Sequence, residues 1–327
     1  VTFSLLHSPV TIVIPVYNRA HTIARTLRSI DAQTLRPARV ILVDNNSSDS
    51  SVDAMRAWAD GKDYVTLLSQ PRPGACAARN HGLEHVTTEW TMFFDSDDVM
   101  APTHVSDFSR AITSNPQADI IGRDILTRFI DGTERRLYFR AGRDAMFHHL
   151  FRGCLSTQRY VARTSLFRAV GAWDENLSGW NDYELATRLL MHTSAILRLS
   201  GSPPVTPYQQ EESITGMGFS AHPERWERSL DTIRSHFLSL PDFDIRRLRW
   251  LDWLDARCMI LAAAYEREAM KNKSSADYEG YAAAHNLSAT LYAKVMQRTP
   301  HPRRQRLIYL HNLHLRRLTW LLAKSLL

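Results

Sequence analysis

The sequence predicts an α/β protein, a mostly parallel sheet covered by helices on both faces, followed by a helical C-terminal extension. Three observations predict it. Short apolar or β-branched runs recur through the first hundred residues, patterns of helical period separate them, and polar residues gather where the runs end.

Val10–Val16 (VTIVIPV) is the first strand, and Tyr17-Asn18-Arg19 leads into a helix with Ile23, Leu27 and Ile30 on one face. Residues 40–43 are the second strand, ending in Asp44-Asn45-Asn46-Ser47-Ser48-Asp49 before a helix through Met55 and Trp58. A third strand covers 64–68. Pro71-Arg72-Pro73-Gly74 then turns the chain into a small-residue helix, 75–85, suited to tight packing on a sheet, and 90–94 is the fourth strand. Beyond it the pattern gives a helix, a strand over 120–129, a hairpin through Asp131-Gly132-Thr133 and a short helix over 147–151. A strand over 159–163 and a helix over 165–170, closed by Gly171, follow. A helix running to His192, a strand at Ile196–Leu199 and helices over 224–238, 243–270, 276–298 and 303–326 complete the chain.

At 327 residues the chain can bury a sizeable core in one large domain with an appendage. Charged residues make up 23% and apolar ones 44%, without low-complexity tracts, which excludes a disordered or fibrous chain. Cys76, Cys154 and Cys258 lack metal-type spacing, so neither a zinc site nor a disulfide framework is indicated and a reducing compartment is expected. The sequence opens without a secretory-signal pattern, and no apolar stretch reaches about 18 residues, so a soluble or peripheral protein is expected. The net charge of +6 is uneven: after Glu279 there are eight Lys or Arg and no acidic residue. Such a basic tail suits an anionic membrane surface. Nucleic acid is not an expected partner, because no nucleic-acid-binding module is recognisable.

Met92-Phe93-Phe94-Asp95-Ser96-Asp97-Asp98 sets three carboxylates at the end of a buried strand. Their repulsion asks for a positive partner, and Asp oxygens suit a hard cation, Mg²⁺ or Mn²⁺, that keeps positions open for phosphate. The other reading is an N-cap, Asp97 or Asp98, ahead of Ala101 and Pro102. Polar groups follow three strands in turn, and a sheet of this kind gathers its carboxyl ends on one ligand.

The segments TIVIPVYNRAHTIARTLRSI, VILVDNNSSDSS, RPGACAARNHGL and WTMFFDSDD, in this order and spacing, resemble the family 2 inverting glycosyltransferases of GT-A fold over about the first 200 residues. The resemblance implies a Rossmann-like mixed sheet holding a nucleotide-sugar. It implies that Pro15, Tyr17, Arg19 and Asp44 cradle base and ribose, and that Arg79 and Asn80 lie against the nucleotide. Asp95, Ser96 and Asp97 would then hold ribose and a divalent cation, with Asp97 the metal ligand and Asp95 the ribose or second metal contact. The chemistry agrees: a carboxylate such as Asp44 can accept a base imino proton, as uracil offers, and Arg79 can present a rigid cationic fork to phosphate. A helix-face salt bridge is the other reading of Arg79. Cys76 and His81 beside it read as packing residues.

Gly171-Ala172-Trp173-Asp174-Glu175 and the following Asn181-Asp182 resemble the family's G-x-F-D-E segment and the E-D pair that opens a helix. This implies Asp182 as the general base, with Asn181 in place of the usual Glu. Trp180 and Tyr183 are candidates for a partly buried, sugar-stacking pocket, and Glu184 is the reserve carboxylate. Asn181 or Asp182 as a helix cap is the other reading. Residues 207–215 also resemble a family loop, but Gln209 and Gln210 stand where relatives carry a basic residue, and Gly216 and Gly218 suit a lid. The last helix sets Leu307, Leu310, Leu318 and Leu321 on one face and Arg306, Arg316 and Arg317 towards another, a pattern for packing or for a membrane interface.

The expectation is therefore a glycosyltransferase domain over 1–220 and a helical extension over 221–327 with a basic amphipathic tail. Its donor would be a UDP-sugar and its acceptor a hydroxyl of a glycan or lipid-linked saccharide in surface polysaccharide synthesis. The place would be the cytoplasm, peripherally at the inner face of a bacterial membrane. Lack of the Q-x-x-R-W signature implies one sugar per encounter. Nucleotidyl transfer, or an inactive nucleotide-binding or membrane scaffold, are the rival readings.

Overall fold

The computed structural model describes residues 8–128, 132–142, 145–201, 205–206 and 218–314. The chain divides into two compact units, Val1–Ala145 with Gly153–Glu211, and Met146–Arg152 with Glu212–Leu327.

In the first unit β1 (Val10–Val16), α1 (Ile23–Asp31), β2 (Arg39–Asp44), α2 (Ser51–Ala59), β3 (Val65–Ser69), α3 (Ala75–Glu84) and β4 (Trp90–Phe93) alternate as expected. β5 (Val99–Met100), α4 (His104–Ser114), β6 (Ile120–Arg123), β7 (Ile125–Arg128) and β8 (Glu134–Leu137) follow. After α5 (Ala145–Arg152) come β9 (Tyr160–Arg163), α6 (Thr164–Ala169), α7 (Asn181–His192), β10 (Ile196–Leu199) and β11 (Val205–Thr206).

Seven of these strands form one sheet in the order β10-β6-β9-β4-β1-β2-β3. β9 runs antiparallel to β4 and β6; the remaining pairs are parallel. β1 sits centrally and reads as a near-continuous apolar run because both its faces are covered; Ile12, Val13 and Ile14 are wholly buried. Its register pairs Val16 with Asp44 on β2 and Val13 with Phe93 on β4. That register brings 17–19, 44–46 and 95–98 to one edge. α3 packs on β1 at its smallest residue: a Cβ at Gly82 would lie 2.4 Å from Val13 Cγ1.

The single strand expected over 120–129 is broken. β6 stays in the main sheet while β7 leaves it to pair with β8. Buried Asp124 makes the break by accepting from the Phe139 amide (2.8 Å), Arg136 Nε (2.9 Å) and Arg198 Nη2 (3.0 Å). Burial pushes its carboxyl up, but these donors outweigh burial and hold it below the usual carboxylate range.

The second unit contains residues 146–152 and the helices α8 (Pro223–Leu238), α9 (Ile245–Ser274), α10 (Tyr278–Arg298) and α11 (Pro302–His314). Trp226, Ile233, Phe237, Leu254 and Tyr265 form its interior, and Asp255 receives Arg234 Nη1 at 2.9 Å and Arg298 Nε at 2.8 Å. The leucine face expected of α11 is not its packed face. Asp252 on α9 draws Arg304 and Gln305 inward beside Ile308, so Leu307 and Leu310 are exposed. Leu318, Leu321, Arg316 and Arg317, the loop with Gln209 and Gln210, and Gly216 lie outside the described residues. Among the described residues no helix is long and apolar enough to cross a membrane.

Candidate active site

The loops at the carboxyl edge of the sheet are tied to one another by side chains of their own. Asn18, in the left-handed region at φ 49°, donates its amide to Ser47 Oγ (3.0 Å) and accepts the Ser48 amide through Oδ1 (2.9 Å). The amides of Arg19 and Ala20 reach Ser51 Oγ (2.7 Å) and Asp49 Oδ2 (3.0 Å). Buried Asn45 joins the second loop to the entry of α3, donating to the Gln70 and Arg72 carbonyls (2.8 and 2.7 Å) and accepting the Gly74 amide (2.7 Å). On this frame Pro15 is half-buried, Tyr17 stands exposed, and half-buried Asp44 accepts the Ser47 amide at 3.2 Å.

The Asp95–Asp98 turn is anchored through its backbone and crossed by two donors. The Ser96 carbonyl accepts from Thr26 (3.0 Å), which also reaches the Asp98 carbonyl (2.8 Å), and Arg25 Nη2 donates to the Asp97 carbonyl (2.7 Å). Ser96 itself is buried. Arg79 Nη2 donates to Asp95 Oδ1 at 2.8 Å, while both Asp95 and Asp98 accept from the Gln158 side-chain amide. Arg79 is buried, its guanidinium 4.4 Å above the Trp173 ring, and its Nε and Nη1 have no hydrogen-bond partner among the described residues. Burial works against its charge, yet the Asp95 carboxylate prevails and its pKa lies above the ordinary value. Gln158 was not singled out in the sequence, and Trp173 only as a member of the G-x-F-D-E-like segment. The available signal was position: Gln158 lies two residues before the strand that pairs antiparallel with β4.

Asp182 enters this neighbourhood from the first turn of α7. Burial pushes its carboxyl up; Arg79 pulls it down, Asp95 pushes it up again, and the result lies above the usual carboxylate range. Its Oδ1 accepts the Tyr183 amide at 2.8 Å. The cap of α7 is Trp180, in the left-handed region at φ 46° and without a side-chain cap bond, so neither Asn181 nor Asp182 serves as the cap. A bulky residue rarely holds that conformation, and here it sits beside a charged cluster. The Trp180 and Tyr183 rings lie 5.7 Å apart, Tyr183 being buried.

Three expectations need correction. Glu184 is no reserve base: it is wholly buried and takes a two-pronged contact from Arg188, at 2.6 and 2.7 Å. Asn80 does not project towards a ligand but clamps the next loop, donating to the Trp173 carbonyl (2.9 Å) and Glu175 Oε1 (2.8 Å) and accepting the Trp173 amide (2.9 Å). Cys76 is buried as read, but His81 is a partly exposed neighbour of Glu84 rather than a packing residue.

The turn presents carboxylate oxygens, the donor type of Mg²⁺ or Mn²⁺ sites. Asp97, with Arg19 Nε 3.7 Å away, has its carboxyl pushed up by burial and then by the charge of Asp95, a penalty a cation would relieve. The residues fit such an ion through Asp97. Among the described residues, however, no three carboxylates of this turn close on a common point. That suits a cation carried on one or two carboxylates and completed by substrate phosphate.

Residues 11–171 match the family model described as glycosyl transferase family 2. The chain is 33% identical over 93 residues to an uncharacterized glycosyltransferase, YibD, of Escherichia coli, covering 28% of this chain and 27% of that one. It is 35% identical over 107 residues to the succinoglycan biosynthesis protein ExoW of Rhizobium meliloti, covering 32% and 34%. The alignments thus span about a third or less of these relatives. The crystal structure of S. aureus TarS 1–349 in complex with UDP-GlcNAc superposes with a TM-score of 0.66 at 16% identity, over 97% of this chain and 91% of that one. A likeness at that identity shows the fold. Residues 11–171, just under half of the chain, are thus a glycosyl transferase family 2 domain, carried on the GT-A fold.

Proposed function

We propose that this protein is an inverting glycosyltransferase that moves a sugar from a nucleoside diphosphate, UDP by preference, to a hydroxyl of a glycan or lipid-linked acceptor. One observation carries the reading. Asp182, a carboxylate of raised proton affinity, shares its surroundings with Arg79 and Asp95, residues of two other elements. Tyr17 and Asp44 flank the base and ribose, with Pro15 shaping the end of β1 and Arg19 and Ser96 bordering the phosphates. Arg79 offers its unpartnered Nε and Nη1 to diphosphate oxygens, because a buried donor left without an acceptor is costly. TarS with UDP-GlcNAc supports the uridine choice, as does the acceptor character of Asp44.

Asp182 takes the proton of the acceptor hydroxyl as its oxygen attacks the anomeric carbon, and the bond to the diphosphate breaks on the opposite face. One displacement inverts the centre. Trp180 and Tyr183 supply the apolar wall that raises the proton affinity of the base and a ring for the acceptor sugar to lie on. Mn²⁺ or Mg²⁺ held by Asp97, with Asp95 beside it, would neutralise charge developing on the leaving diphosphate. A mannosyltransferase of Pyrobaculum calidifontis of similar fold, TM-score 0.56, is described in complex with GDP-Man and Mn²⁺, which supports a cation of this kind.

Catalysis belongs in this reading to residues 1–220, and 221–327 to an appendage serving surface polysaccharide synthesis peripherally at the inner face of the membrane. The basic tail supports that place, as do Phe243, Ile245 and Leu248, exposed to 90%, 75% and 70% beside Arg246 and Arg249. A screen of nucleotide sugars for hydrolysis with Mn²⁺ tests the function without knowledge of the acceptor. Release of nucleoside diphosphate from one donor class is the expected result; pyrophosphate release, or no turnover of any donor, contradicts it.

A further inference from the structure

We propose that the exposed end of α3 is a binding site for a borderline transition-metal cation of the zinc class, held by His81, Glu84 and His85. These residues present one ligand atom each, all within 4.8 Å of one another, and among the described residues they are the only such group of three or more. The spacing H-x-x-E-H puts all of them on one face across a single helical turn.

The hydrogen bonds fix which nitrogens are available. His85 Nδ1 lies 2.9 Å from the His81 carbonyl, and a carbonyl can only accept, so Nδ1 carries the hydrogen and Nε2 the lone pair. His81 Nδ1 lies 3.3 Å from Glu84 Oε2, about the separation of two neighbouring ligands on one tetrahedral ion, so His81 offers Nδ1 beside the carboxylate. For His85, a donor on one ring nitrogen bonded to a carbonyl is the arrangement that orients metal-binding imidazoles. The rings stand 5.0 Å apart, and all these side chains have exposed surface, which leaves them room to turn towards a shared ion at the roughly 2.0–2.2 Å that zinc requires. Two imidazoles and a carboxylate select zinc-class ions over Mg²⁺, and water completes the tetrahedron.

The site is separate in chemistry from the Asp95–Asp98 turn, which offers oxygen alone. It is linked to that turn by the helix, since Arg79 and Asn80 lie just before His81 on α3. A cation bridging His81 and His85 staples the last turn of the helix that holds Asp95 and the Trp173 loop.

The test is calorimetric titration of Zn²⁺ into the tag-free full chain, with Mg²⁺ as comparator, beside His81→Ala, His85→Ala, Glu84→Gln and Asp97→Ala. One saturable Zn²⁺ per chain is expected, lost in either alanine variant, weakened about 10–100-fold in Glu84→Gln, and kept in Asp97→Ala. Circular dichroism of the apo variants checks folding, and Zn²⁺ should raise the melting temperature of the wild type but not of His85→Ala. Absence of saturable binding, or binding that survives both alanine variants or disappears with Asp97, overturns the proposal. Sugar transfer is not read in any arm, so failure here leaves the proposed glycosyl transfer untouched, and the reverse holds as well.

Discussion

The Asp95–Asp98 turn and the first turn of α7 both carry acidic side chains around Arg79, but their hydrogen-bond partners differ. In the first, Asp95 is held by Arg79 and Gln158, and the backbone beneath it is bonded to Thr26 and Arg25. In the second, Asp182 is left with a proton affinity above the usual range, while Glu184, two residues on, is buried against Arg188. In the proposed mechanism the first region holds the donor and the second exchanges a proton. Identical functional groups take different roles because their environments differ.

The largest effect that would break the comparison is expected from Asp182→Asn. Transfer should fall about 10²- to 10⁴-fold with little change in donor KM, because an amide cannot accept the proton while the donor contacts remain. Steady-state kinetics reads both quantities. Glu184→Ala should act on folding instead: removing one partner of a buried ion pair costs about 3–5 kcal/mol, read from urea unfolding. Asn80→Ala should cost about 1–3 kcal/mol, since it strands the Trp173 amide and carbonyl, and a smaller rise in donor KM should accompany it as the loop beside Arg79 loosens. The smallest and most informative effect is on pH. Only ionised Asp182 accepts a proton, so its raised pKa should move the acid limb of kcat/KM above the ordinary carboxylate value of 3.8, with activity lost as pH falls through it. An acid limb at or below that value would leave Asp182 no more poised than a surface carboxylate.

The parallel half of the sheet was legible because both faces of β1 and β2 are covered, so apolar runs and polar strand ends mark the elements directly. Gly82, Ala77 and Ala78 announced the close packing of α3 in the same way. The break at Asp124 was not legible, since three donors remote in sequence, on Phe139, Arg136 and Arg198, decide it. Which face of α11 packs was left open for a related reason: a leucine stripe marks a packed side only until a buried partner such as Asp252 rewards turning an arginine inward. Within the site, the motif letters pointed to Asp95 and Asp182, which the fold brings around Arg79, but could not separate a ligand-facing Asn80 from a loop clamp. Gln158 carried no motif, because its role comes from strand pairing across the sheet.

The most direct test of the account is the configuration of the sugar first released. Proton NMR at early times, before mutarotation, on hydrolysis of an α-linked nucleotide sugar should show the β-anomer, the outcome of one in-line displacement with Asp182 as base. Initial appearance of the α-anomer would contradict it.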